Sequence, residues 1–199
     1  MTARITRDFQ FLAGVYFEGE LYMNVYDANI QFSVETENIA EQNIAMDRVK
    51  YFIHSLEHNV FINETHKEAI EKFTNSNVKL CLIPEEPYDQ IIGILLLVKI
   101  NAITEGKLTP DDIALTSRMS DGVNCLHSSD ENTGPFRFKG WWNDPSPKIS
   151  SVIGKSKKVV QLKKAPNNWD DLLLGWLEKK EEVVPNEIVF ASFESKTEK

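Results

Sequence analysis

Apolar and polar residues alternate at the start of the chain and then switch period twice. Val15, Phe17, Leu21, Met23 and Val25 share one parity, while Glu18, Glu20 and Asn24 share the other. That pattern predicts a half-buried strand. DAN at 27–29 reads as a turn, after which Ile30, Phe32 and Val34 alternate with Gln31, Ser33 and Glu35, so a β-hairpin or a long bent strand pair is expected. Over 42–60 the period becomes helical: Ala45, Val49, Phe52, Ile53, Leu56 and Val60 fall on one face. THKE at 65–68 has capping-box spacing and predicts a short second helix through Phe73. NVKLCLIPEEP predicts a strand ended by Pro84 and Pro87. YDQIIGILLLVKINAI, 88–103, is apolar on nearly every side, so this third helix must be covered on two sides, by a sheet and by a second layer or another subunit. TPDDIALTSRM and GVNCLH predict a second hairpin with SDG as its turn.

Regular pattern then stops. SSDENTGPFRFKGWWNDPSPKISS, 128–151, is polar, aromatic and Gly/Pro-bearing, and the boundary of the main domain is placed near Asn143. Residues 145–169 hold six lysines and no acid. Beyond them Trp169, Leu172, Leu173, Trp176 and Leu177 recur at helical spacing, with Asn167 or Asn168 as cap, Asp170 and Asp171 in the first turn and Lys179 and Lys180 after the end. A helix this short needs something to pack on. Two uses are open: packing on its own domain between KVVQL and EIVFASF, or lying in a groove of another protein by its Trp/Leu face. A membrane-surface role fits less well, because the polar face opens acidic. The expectation is an α+β fold with three parts: a main domain over 1–143 with an antiparallel sheet covered by helices, a lysine-rich linker over 144–166, and an amphipathic helix and tail over 167–199.

Composition narrows the function classes. A formal net charge of -8 opposes non-specific nucleic-acid binding. Cys81 and Cys125 form no metal or redox spacing and read as reduced thiols. The longest apolar run of the third helix, IIGILLLV, is too short to span a bilayer, and the N-terminus has no signal-peptide core, so an intracellular, soluble protein without membrane attachment is expected.

Four stretches carry candidate chemistry. HSLEH, 54–58, matches H-x-x-E-H: on a helix His54 and His58 would share a face and a zinc ion, with Glu57 as base. A third ligand is not assignable, so a zinc hydrolase ranks last. CLHSSDEN sets Cys, His, Ser and Asp side by side, but triads assemble across a fold, so a polar loop is the simpler reading. EEPYDQ gathers acids at a helix start, where they complement the dipole. PFRFKGWW interleaves Phe136, Phe138, Trp141 and Trp142 with Arg137 and Lys139. Such a stretch can stack single-stranded nucleic acid, but its aromatics serve more simply as plugs at the edge of the core.

Two resemblances add context. LEHNVFIN, 56–63, following a strand pair and an amphipathic helix, resembles the LDHxxLN stretch of the pterin-synthase and queuosine-precursor enzymes of the tunnelling fold. The resemblance implies a catalytic role for His58, with Glu57 replacing an aspartate, a pterin- or purine-like ligand, and a homo-oligomer, since that fold builds its sites between subunits. The zinc histidines of that family belong on the opening strands, and residues 1–53 contain none, so scaffold rather than chemistry is implied. QNIAMDRVKYFI, IPEEPYDQIIGILLLVKINAITEG and the GPFRFKGWW to WDDLLLGW tail resemble uncharacterised proteins of large contractile-tailed marine bacteriophages. That implies the cytoplasm of an infected bacterium, or the virion, as the setting. The leading expectation is a non-enzymatic accessory protein that docks a phage or host protein through Trp169, Leu172, Leu173, Trp176 and Leu177, with no cofactor. The alternative is a tunnelling-fold relative binding a small molecule at Glu57 and His58.

Overall fold

The computed structural model describes residues 3–76, 78–121, 123–130, 132–149, 151–152 and 166–176. Its frame is one long hairpin, β1 (Ala3–Phe17) and β2 (Glu20–Val34), paired antiparallel from Ala3↔Val34 to Phe17↔Glu20. The turn is Glu18-Gly19, both left-handed (φ 51° and 86°), which is the two-residue geometry that matches strand twist. DAN therefore lies within β2, not at a turn. Moving the turn changes the parity after it. Asn24, Tyr26, Ala28, Ile30 and Phe32 point into the core, and Met23, expected inside, is 56 % exposed.

The sheet order is β6-β5-β2-β1-β3-β4-β7. β5 (Leu108–Ser117) and β6 (Asn124–Ser128) form the second hairpin, antiparallel to β2. On the other side β3 (Val60–Asn63) runs parallel to β1, β4 (Leu80–Ile83) runs parallel to β3, and β7 (Ser151–Val152) closes the edge antiparallel to β4. The sheet is thus mixed rather than antiparallel. The reason is β3, a short run of four buried residues that period alone assigns to the end of the preceding helix. Parallel neighbours need a crossover, and α2 (Lys67–Asn75) supplies it. Val60, Ile62 and Leu80 face α2, whereas Phe61, Cys81 and Ile83 face the main core. The cap of α2 is His66 rather than Thr65, whose hydroxyl instead bonds Asn63. Glu86 ties this corner together through His66 (2.7 Å) and Asn63 (3.0 Å).

α1 (Ile39–Leu56) and α3 (Asp89–Thr104) cover the other face of the sheet. Asn38 caps α1, accepting from Ala40 and Glu41, and the predicted stripe from Ala45 to Leu56 is buried. α3 is enclosed as its composition demands. Ile92, Leu95, Leu96, Ile100 and Ile103 are fully buried, each worth about 2 kcal/mol of transfer free energy. One side meets the sheet, and Gly93 lets His127 of β6 lie directly against the helix. The other sides meet α1 and the aromatic segment, where Phe136 and Trp142 are buried plugs.

Packing does not break at residue 143. Lys99, fully buried in α3, donates to the carbonyls of Trp141 (2.9 Å), Asp144 (2.6 Å) and Ser146 (2.9 Å), on both sides of that point. Trp169 joins the same core, 6 % exposed. Most of the lysine-rich stretch lies outside the described residues.

Candidate functional site

The end of α1 gathers the residues of HSLEH. α1 stops at Leu56, because Glu57 is extended (ψ 135°) and His58 is left-handed (φ 60°). The helical i,i+4 relation expected of His54 and His58 is therefore not formed, and among the described residues no three His, Cys, Asp or Glu side chains are grouped to hold a metal ion. The turn is fixed by backbone bonds: His58 N donates to Leu12 O (2.9 Å), Asn59 N to Leu56 O (3.1 Å), and Gly14 N to Asn59 O (2.8 Å). What it positions is a polar cluster. His54 Nδ1 lies 3.0 Å from Glu57 Oε2. Asn59 is fully buried, and its Nδ2 donates to Ser55 O at 2.8 Å, which leaves Oδ1 as an acceptor with no hydrogen-bond partner.

These residues line a cavity of about 540 Å³ whose other walls are Tyr51, Lys79, Pro147, Lys148, Ile149 and Pro166. That size suits a small-molecule site. The arrangement brings an acid–base pair, a second imidazole and a buried carbonyl acceptor to one void, with two lysines at its margin. Glu57 and His58 both line this cavity, and Asn59 escapes a reading by sequence because nothing in its neighbours marks it as buried.

The Trp/Leu stretch does not form the expected helix. Only one 3-10 turn forms, Asp170–Leu172, closed by left-handed Leu173 with Leu173 N on Asp170 O (3.0 Å) and Leu174 N on Trp169 O (2.8 Å). The residue at its N-cap is Trp169 rather than Asn167 or Asn168, although Asn168 accepts from Asp171 N at 2.9 Å. The helix ends early because α1 captures the chain. Arg48, 2 % exposed, donates through Nε to Leu174 O (2.8 Å) and stacks under Trp176 (3.7 Å) and Trp169 (4.9 Å). Trp169 also packs edge-on to Tyr51 and donates to Pro145 O. Leu172 and Trp176 are half-buried against the core, Leu173 is 92 % exposed, and Leu177 lies outside the described residues.

The first half of CLHSSDEN is strand rather than loop: Cys125 and His127 face inward on β6 and Leu126 outward. A cleft lies at the start of α3, beside the EEPYDQ stretch, where the sequence leaves a ligand site open without demanding one. Asn24, Tyr26 and Ser117 form its floor and Asp89 its edge. The signal was present in EEPYDQ, but Asn24 carries no mark of burial once the hairpin turn is misplaced.

No protein-family profile matches the chain, and no curated protein sequence matches it. Among solved structures, the uncharacterised protein WS1659 of Wolinella succinogenes is similar at 11% identity and TM-score 0.46, covering 65% of this chain and 99% of its own. A catalytic-residue variant of Plasmodium vivax 6-pyruvoyltetrahydropterin synthase is similar at 12% identity and TM-score 0.39, covering 64% of this chain and 99% of its own. The functional reading rests on the chain's own geometry. No helix among the described residues is long and apolar enough to cross a membrane.

Proposed function

We propose that this chain binds a polar small molecule of purine or pterin size in the cavity at the end of α1. The observation that carries the reading is a cavity of about 540 Å³ lined by His54, Glu57, His58 and Asn59, behind which Asn59 Oδ1 is a buried acceptor without a partner. Leaving such an atom unpaired costs about 1–3 kcal/mol, which a ligand N–H would recover. Lys79 and Lys148 favour a ligand that also bears an acidic group, and His54 with Glu57 supplies a proton donor and acceptor beside it.

His58 supports the same reading. A non-glycine residue at φ 60° costs about 1 kcal/mol, and glycine would relieve it. Strain of this kind concentrates at functional sites. The test is titration calorimetry with pterin-6-carboxylate and with guanosine monophosphate, on the wild type and on His58→Gly. One of the two ligands should bind saturably to the wild type. The variant should melt higher, by about 1 kcal/mol of added stability, yet bind on the order of tenfold more weakly. Failure of both ligands to bind, or undiminished binding by the stabilised variant, would remove the reading.

Docking of a partner protein through Trp169, Leu172, Leu173 and Trp176 draws less support. Its best anchor, Trp169, is committed to the chain's own core, and among its described residues Leu173 alone is left fully in solvent.

A further inference from the structure

The cleft at the start of α3 shares no residue with the cavity above and has a different chemistry. It encloses about 370 Å³ and is walled by rings: Phe17, Tyr22, Tyr26 and Tyr88, with Phe17 and Tyr88 in edge contact at 5.0 Å between centroids. The floor is polar and buried, with Tyr26 0 %, Ser117 2 % and Asn24 3 % exposed. Asn24 Oδ1 is occupied by Met119 N (3.2 Å). Asp89 accepts from Ser117 Oγ through Oδ2 (2.7 Å), which leaves Oδ1 free of any such bond. The Tyr26 hydroxyl is buried and makes no well-formed hydrogen bond.

No lysine, arginine or histidine lines the cleft, and among the described residues no basic side chain pairs with Asp89. The Asp89 charge is felt across the void. Burial pushes the Tyr26 phenol up, with the Asn24 side chain acting the other way and Asp89 adding to the rise. Burial and Asp89 together do the same to the Cys125 thiol. Complementing the helix dipole and stapling β5 to α3 would explain Asp89 alone. Neither role calls for an open space lined by four aromatic rings.

Aromatic faces attract cations through their quadrupoles, and a carboxylate in a partly dry site adds charge-assisted hydrogen bonding. We infer that this cleft is a binding site for a small organic cation, an aryl amidinium or quaternary ammonium, seated among Phe17, Tyr22, Tyr26 and Tyr88 with its charge on Asp89. Tyr88, Met119 and Val123, each about half exposed, form the rim through which it enters (51 %, 52 % and 58 %).

The experiment is titration calorimetry on the full chain with benzamidine and phenyltrimethylammonium, using benzoate as the isosteric anion. At least one cation should bind with one-to-one stoichiometry, and benzoate should not. Asp89→Asn should weaken binding on the order of tenfold. Tyr88→Ala, at a half-exposed position on the rim, should weaken it several-fold with the chain still folded and decides the matter if Asp89→Asn lowers the melting temperature. The assignment is overturned if neither cation binds the folded chain, if benzoate binds as tightly, or if Tyr88→Ala keeps full affinity.

Discussion

Lys99 and Arg48 are both buried cations on the helices that cover the sheet, and each holds a later part of the chain, but by different means. Lys99 spends its ammonium on three backbone carbonyls between Trp141 and Ser146, a segment with little regular structure, where Trp141 O also accepts from Asp144 N (3.3 Å). Arg48 divides its guanidinium. It bonds Ile103 O (3.1 Å), one of the last carbonyls of α3, then Glu105 (2.6 Å) and Leu174 O, and it lies under two indoles. A compact ammonium suits converging carbonyls, and a planar fork suits a stack with in-plane bonds. The partners of Lys99 are backbone and cannot turn away. Glu105 is 40 % exposed and can. The first cation is therefore part of the core, and the second is a fastener for residues 169–176.

That comparison is tested first at Lys99. Lys99→Met keeps the methylenes and removes the charge, taking the ammonium from three carbonyls, of which Trp141 O keeps Asp144 N, and leaving the fully buried site in α3 without its polar anchor. Stability in urea should fall by about 3 kcal/mol in a single transition. A loss below about 1 kcal/mol would mean that water reaches these carbonyls and that Lys99 is not a core element. Arg48→Met should cost less, about 1–2 kcal/mol, because Glu105 turns to solvent and Trp176 packs on the thioether. Its effect should be local. Exchange of the Leu172, Leu173 and Leu174 amides should speed up, while the α3 amides stay protected. If both variants lose the same stability and exchange globally, the fastener and the core are one unit.

How legible this was in the sequence follows the same division. The stripes of α1, α3, β5 and β6 were readable because period reports burial on one face, and here burial decided the structure. β3 was not, because VFIN continues the helix stripe through Val60, and only the left-handed break at His58 separates them. The hairpin turn was missed because Glu18 carries no turn signature, although Gly19 beside it does. The Trp/Leu stripe was seen correctly as apolar and given the wrong shape: its spacing fits a helix, but Arg48, distant in sequence, pulls Leu174 out of one. Of the α1 cavity, Glu57 and His58 were visible as a motif and Asn59 was not. Of the cation cleft, Asp89 was visible only as a helix-start acid. Buried polar residues are chosen by partners brought from elsewhere in the chain, and one sequence does not record those.

The smallest effect concerns the proton on Lys99, and its sign separates the two cations further. Burial pulls Lys99 down to about 8, with the Asp144 charge acting the other way. Between that value and the ordinary 10.5 of a free lysine, the unfolded chain holds the proton more tightly than the folded one. Unfolding then takes up protons, so the contribution of this site to stability should rise as pH climbs through that window and be flat below it. The three carbonyls favour the charged form and offset part of the gain, which should be on the order of 1 kcal/mol. The check is the stability difference between wild type and Lys99→Met measured at pH 7 and at pH 10, since titration of the other lysines and tyrosines cancels in the difference. The wild type should recover part of its advantage's electrostatic cost at the higher pH, widening the gap. A gap that narrows would mean that the carbonyls outweigh desolvation and hold the ammonium above its free value. Arg48 stays charged across this range, so the corresponding gap for Arg48→Met should not move with pH.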